Sequence, residues 1–506
     1  MPEHYRALVF LLLIAVVVHP LAGGLQSQQL PGAHRRRRNL WYVLTITAFL
    51  LGDFWVFALL ATALIAWAYG QERNAPALFL GLLFAVPPAH QEIPGLGLFN
   101  FLFSLSFPRL LALVLLLPLF LRLVQKPRRP AGGLPRLADA LFFGYLLVNV
   151  LLLAREASVT SAVRSAFYLF VDVFLPYFVF SRAFDDMARI RDAVASLVVA
   201  GVLLAAIGMF EASRHWLLYS ALVQAWGSAD KLLYLGRSGA LRAMASTGHA
   251  IALGYVLAVS LLLYLPLRER MRGGWQRAGL TMLLVAGLLS ALSRGPWLGA
   301  AAGLLLYIAC GPRPAKNLVL LATAAGVALA ILPFLPFGNS LLGLIPFFGT
   351  TDAGNVEYRQ RLMENAARII WRHPLLGSSD YLERLAEMGM VQGQGIIDIV
   401  NTYVRVALRS GLLGLACFAG VLLAAWFATL RARKLAQRAL QGDAADLGRS
   451  LAAAQLAVIV TIATVSSIVV IPWVYWCIAG MSVAYARVVQ ACVREPAGAA
   501  DRLGFA

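Results

Sequence analysis

Acidic residues are scarce in this chain. It carries 24 Asp and Glu against 43 Lys and Arg, a formal charge of +19, and charged residues of both signs make up only 13% of its 506 residues. With 60% hydrophobic residues and a mean hydropathy of +0.75, that poverty of charge excludes a water-soluble globular protein. In a soluble chain the basic excess would point to nucleic acid. Here the arginines lie in short stretches between apolar runs, the distribution expected on the cytoplasmic side of a membrane protein, so nucleic acid is excluded as a partner. There are only four cysteines, Cys310, Cys417, Cys477 and Cys492. They fall in apolar runs or at their ends, so neither a structural disulfide nor a zinc site is expected. No Walker loop, zinc pattern or Ser-His-Asp arrangement is present. The external loops lack the paired aspartates of metal-assisted glycosyltransferases, and no metal or cofactor is expected. Asp185-Asp186 reads as a solvated loop on the opposite side. The chain also lacks internal repeats, low-complexity segments and a small-residue cleavage motif after its first apolar run, which is therefore read as an anchor.

What is present is a succession of apolar runs. A span needs about 17–25 residues, and the runs predict spans at 6–21, 39–51, 54–70, 76–89, 107–124, 137–154, 164–181, 189–210, 248–266, 277–292, 295–310, 317–335, 402–427, 450–469 and 472–490. The region 39–70 reads either as a hairpin about Gly52-Asp53 or as one long helix. The expected fold is all-α, a single polytopic membrane domain over 1–490 with about 12–15 transmembrane helices. Basic stretches at 35–38, 126–129, 182–191, 268–277, 313–316 and 431–438 then share one side, the cytoplasm. Two sizeable loops, 211–247 and 336–401, fall on the opposite face, and 491–506 forms a cytoplasmic tail. Neither loop is long enough to bury a substantial core alone.

The second loop has readable structure. Residues 337–340 and 349–355 are rich in turn formers. Val356 to Arg372 places Leu362, Ala366, Ile369 and Ile370 at helical spacing, with Asn355 as a possible N-cap and Pro374 as the stop. This is expected to be a helix at the membrane surface or over a cavity mouth. Arg359 lies near its start and offers a planar donor fork that suits phosphate oxygens. Arg361 reads better as part of a solvated face, and Glu357 and Glu364 are carboxylates at helical spacing from the two arginines. Arg242, in the first loop, is either a phosphate ligand or an interfacial arginine. His249, at a span's start, is either a base or a polar residue at a helix end. Arg294 breaks the positive-inside pattern, and its alternatives are a charged partner or backbone carbonyls at the Ser293-Gly295 break. Asp398 and Asn401, three apart, would point the same way if helical and could position or deprotonate a sugar hydroxyl; Asn401 could equally cap the span that starts at Thr402.

Four stretches in order carry a family resemblance. They are RAMASTGHAIALGYVLA at 242–258, SRGPWLGAAAGLLLY at 293–307, YRQRLMENAARIIWRHPLLG at 358–377 and NTYVRVALRSGLLGLACF at 401–418. Together they resemble the O-antigen ligase/polymerase-like superfamily of bacterial inner-membrane proteins: its Ser-Arg-Gly-x-Trp span, its loop helix ending in His-Pro-Leu-x-Gly, and its Asn-x-Tyr stretch followed by Gly-Leu-x-Gly. The resemblance covers roughly residues 240–420. It implies a GT-C-like glycosyltransferase whose donor is a glycan on undecaprenyl pyrophosphate, presented on the periplasmic face without metal or nucleotide sugar. By position it assigns Arg359 and Arg242 to the pyrophosphate; Arg294, Arg361, Asn401 and Tyr403 are expected as further substrate contacts. Ligases of the superfamily carry a base histidine directly before the Asn of Asn-x-Tyr. Here that residue is Val400, which leaves Asp398 or His249 as candidate bases and turns the reading toward a polymerase of lipid-linked repeat units, with a chain-length regulator as an expected partner. A ligase is the second reading. A transporter would place ionisable residues at the bilayer midplane, and a non-catalytic scaffold would tolerate loss of Arg359 and Arg242.

Overall fold

The computed structural model describes residues 2–25, 32–95, 101–126, 132–228, 232–237, 239–271, 273–334, 353–392, 395–439 and 442–494. The first helices are α1 Glu3–Ala22, α2 Ala33–Leu50, α3 Phe54–Gln71 and α4 Ala75–Leu82. A short antiparallel hairpin, β1 Gln91–Pro94 with β2 Phe101–Leu105, leads to α5 Phe107–Gln125. Then come α6 Leu134–Leu152, α7 Val159–Arg182, α8 Met187–Arg214 and α9 Ser220–Ala225. The series continues with α10 Ala250–Arg268, α11 Gly274–Ser290, α12 Arg294–Ala309, α13 Pro314–Ile331, α14 Ala353–Arg372 and α15 Tyr381–Glu387. It closes with α16 Thr402–Ala439, α17 Gly442–Ile462 and α18 Ile471–Arg494. Most of the turn-rich stretches expected at 337–340 and 349–355 lie outside the described residues, as do Gly393, Gln394 and the tail from 495.

The protein is an all-α, polytopic membrane protein. Each of the fifteen expected spans overlaps a helix, and among the described residues eleven helices are long and apolar enough to cross a bilayer. The shortfall has simple causes. The first turns of α2 carry Arg35 to Arg38, α4 spans 8 residues, and α11 and α12 span 17 and 16. The segment 39–70 is a hairpin, because the Asp53 carboxylate accepts the Trp55 and Val56 N–H groups and starts α3 afresh. In α10, 83% of the most apolar window is buried, against none in α13, so α10 stands at the centre of the bundle and α13 faces lipid.

Close helix contact comes from small residues. Gly295, Gly299 and Gly303 form a stripe on α12. Cβ atoms there would lie 2.4 Å from Thr464 Oγ1, 2.1 Å from Thr461 Oγ1 and 2.3 Å from a Leu262 methyl. The glycines of the Ser-Arg-Gly stretch are thus the surface that lets α12 approach α17 and α10. Its tryptophan, Trp297, donates to the Leu288 carbonyl of α11 at 3.0 Å.

The basic segments are more structured than a set of solvated loops. Arg37 is buried and bonds Glu72 at 2.9 Å and Asp192 at 2.8 Å, joining α2, the end of α3 and α8. Removing either carboxylate would leave a buried charge. Arg182 and Arg487 share Asp139, Arg270 pairs with Asp443, and Arg433 donates to the Cys310 carbonyl. These bonds gather the ends of α7, α18, α10, α12 and α16 onto one face. The starts of α10, α12 and α16, which carry His249, Arg294 and the approach from Asp398, therefore lie on the other.

Candidate functional site

Two of the sequence motifs interlock. Helix α16 is broken at Gly411, whose φ of 67° and ψ of −171° interrupt the helix. Into this break docks the His-Pro-Leu-Leu-Gly turn that ends α14. Leu412 N–H donates to Pro374 O at 2.7 Å, and Ser378 N–H donates to Leu408 O at 2.9 Å. A Cβ at Gly411 would sit 2.2 Å from Leu375 O, and one at Gly377, also in the left-handed region, 2.5 Å from Leu408 O. Above this joint the apolar stripe of α14, Leu362, Ala366 and Ile369, packs on Tyr381 and Leu385 of α15 and on Ile399 and Leu408. The stripe is therefore spent on a small core of the loop itself rather than laid on lipid. Asn355 falls inside α14, not at its cap.

The first loop is organised by a buried carboxylate. Helix α8 runs to Arg214, so Glu211 belongs to its last turn rather than to a loop. Glu211 is fully buried and accepts three backbone N–H groups, from Leu218 at 3.0 Å, Met244 at 3.0 Å and Ala245 at 2.8 Å. This fixes the strand of chain that bears Arg242 and His249. Arg242 Nε reaches Ala291 O at 3.4 Å and Arg237 donates to Leu292 O at 3.1 Å, which seats the loop on the α11–α12 turn, one step from Arg294. His249 caps α10: its Nδ1 accepts the Ile251 N–H at 3.1 Å, so the neutral ring keeps its proton on Nε2.

Electrostatics join the two loops. Burial, and then Arg242, lowers the His249 pKa to about 4, while Asp398 acts the other way. Burial and Arg237 lower the Arg242 pKa to about 10. At Arg359 partial burial lowers the pKa, Asp398 opposes that, and Arg294 adds to it. Arg242, His249, Asp398, Arg359 and Arg294 are thus linked in series, each within electrostatic reach of the next, although they come from three separate segments. Asp398 lies in extended chain before α16, so it does not share a helical face with Asn401. Its Oδ1 accepts from Ser466, and Tyr358, one residue from Arg359, donates to its carbonyl at 3.2 Å.

Residues 278–419 match the family described as O-antigen ligase. This match supports the resemblance of the chain to the O-antigen ligase/polymerase-like superfamily. No curated protein matches it. The match supports a membrane glycosyltransferase-like enzyme. Within the matched segment lie Arg294, Arg359 and Asp398, along with both halves of the interlocked joint; Arg242, His249 and Glu211 come from outside it.

Three nominated residues stand apart from the arginine cluster. Arg361 pairs with Glu357 on the exposed side of α14. Asn401 is the cap of α16, its Oδ1 accepting from Tyr403 N–H at 2.9 Å and Val404 N–H at 3.2 Å. The Tyr403 hydroxyl donates to Ile459 O at 3.1 Å in α17. Sequence reasoning missed Glu211 and two arginines of α16, Arg405 and Arg409. The available signals were an ionisable residue in an apolar run and an i, i+4 arginine pair at the start of a span.

Proposed function

We propose that this protein polymerises undecaprenyl-pyrophosphate-linked oligosaccharide repeat units into exopolysaccharide or O-antigen on the periplasmic face of the inner membrane. The observation that carries the reading is that His249 and Asp398 link the two loops, with Arg242 within electrostatic reach of His249 and Arg359 within reach of Asp398. Guanidinium forks suit the oxygens of a pyrophosphate and stabilise the charge that develops as it leaves. In the proposed step an acceptor sugar hydroxyl attacks the anomeric carbon of the donor, and the bond from that carbon to the pyrophosphate oxygen breaks. The lipid pyrophosphate departs between Arg359 and Arg242. The hydroxyl proton passes to Asp398; Ser466 holds Oδ1, leaving Oδ2 to accept it. His249 serves as a neutral donor through Nε2, since its Nδ1 is occupied by the helix cap.

Ligation to lipid A-core is the second reading, favoured by the family's description. Val400 stands where ligases of the superfamily carry their base, and it packs with the small apolar core of the second loop, which supports polymerisation instead. An in-frame deletion separates the two. Loss of a polymerase leaves single repeats on the lipid carrier, whereas loss of a ligase leaves long polymer on that carrier.

A further inference from the structure

A cavity of about 400 Å³ lies beside the arginine cluster, across the segment 465–469. That is within the usual range of small-molecule sites. Its wall includes Ser467, which bonds Thr402 at the head of α16, while the neighbouring Ser466 holds Asp398. Pro88 and Val469 also line it, and their far sides touch the Cβ position of Gly248, next to His249. The cavity and the cluster therefore share a wall one residue thick in places.

Two features of this cavity call for a ligand. Arg405 and Arg409 stand one helical turn apart and both line it. Among the described residues neither forms a salt bridge, and Arg405 reaches only the Ser467 carbonyl, at 3.3 Å. The third arginine on the wall, Arg109, is neutralised by Asp172 at 2.8 Å, on a π-helical turn of α7. Both residues are exposed, so their mutual repulsion is small, and an anion entering the cavity would relieve it while accepting from both guanidinium groups. The remaining wall is aromatic, with Tyr145, Tyr168, Trp473 and Tyr475. Flat rings with hydroxyl neighbours suit the face of a pyranose, whose C–H groups are apolar and whose edges are polar.

We propose that this cavity binds an acidic glycan, a saccharide whose carboxylate or comparable oxyanion is held by Arg405 and Arg409 while its ring lies on the aromatic wall. The inference rests on the polymerase reading for its setting and deepens it: the loop arginines hold the pyrophosphate, and this cavity holds the sugar. The substrate class is then a repeat unit carrying negative charge.

The test is calorimetric titration of the full-length protein in lipid nanodiscs with trigalacturonate, maltotriose or inorganic pyrophosphate. Trigalacturonate is expected to bind, and maltotriose to bind more weakly by about tenfold or more, as loss of a charge-assisted contact implies. Arg405→Gln and Arg409→Gln should each weaken trigalacturonate to a similar degree, Arg405→Lys should retain much of the binding, and Arg359→Ala should leave it unchanged. Failure of polymerisation in Arg359→Ala with intact trigalacturonate binding separates this proposal from the polymerase reading. Equal binding of maltotriose, no binding of trigalacturonate, unchanged binding in the glutamine variants, or displacement by pyrophosphate at equal affinity would each overturn it; the last would make the cavity a phosphate site. The ligand comparison on the unaltered protein stands even if a variant folds poorly.

Discussion

Arg359 and Arg361 sit two residues apart on one helix and meet different fates. Two residues turn a helix by more than half a revolution, so one guanidinium faces Asp398 and the other is paired with Glu357 in the open. Arg361→Ala should therefore leave polymer synthesis and stability nearly unchanged, within about 0.5 kcal/mol, as seen by polymer length and thermal unfolding. His249 makes a pH prediction. Its folded pKa of about 4 lies below the ordinary 6.5. The unfolded chain takes up a proton that the folded chain refuses, so stability holds above pH 6.5 and falls as pH drops from 6.5 toward 4. His249→Asn, which keeps a capping group, should flatten that fall in thermal melts, and His249→Ala should lose about 1 kcal/mol at neutral pH through the missing cap. At this scale the sequence showed which residues had the right chemistry, but not which were already committed. Arginines in external loops stood out by type. Asn401 and Tyr403 did too, yet Asn401 takes the capping alternative that its place before Thr402 offered, and Tyr403 is committed to a carbonyl on α17, which only the packing of α16 reveals.

The two loops are elements with separate anchors, and each makes its own prediction. The joint between the His-Pro-Leu-Leu-Gly turn and the break in α16 has backbone on both sides of Gly411 and Gly377. Gly411→Ala should cost at least about 1–3 kcal/mol, since neither main chain can yield as a side chain would, and should lower the melting temperature far more than an alanine at Gly326, where no atom lies within 4 Å. The first loop hangs on Glu211. In Glu211→Gln the amide group would face N–H donors in place of an acceptor oxygen, so the chain around Met244 and Ala245 should loosen. Limited proteolysis of nanodisc-embedded protein should then cut within 232–247 while the bundle stays intact. The helices themselves were legible, because runs of apolar residues have few other uses. What was not legible was the interruption of α16, since Arg-Ser-Gly-Leu-Leu-Gly reads as a continuous span, and the end of α8, which carries Glu211 past the apparent limit of the apolar run.

Across the whole molecule, the proposed function depends on two loops being linked on the same side of the bundle. Ion pairs bind the other ends of the helices into a second face. Sidedness is expected from the basic residues in the sequence; the approach of His249 to Asp398, which links the two loops that bear Arg242 and Arg359, is not, because it depends on α8, α10 and α12 packing at close range. The account's central claim is that the arginines of these two loops handle the lipid pyrophosphate. The most direct test is the length of polymer made in a deletion strain carrying the wild type, Arg359→Ala or Arg242→Ala, with membrane levels of each protein checked by immunoblot. The account predicts that both variants reach the membrane at wild-type levels and leave single repeats on the lipid carrier. Polymer of normal length from either variant would contradict it.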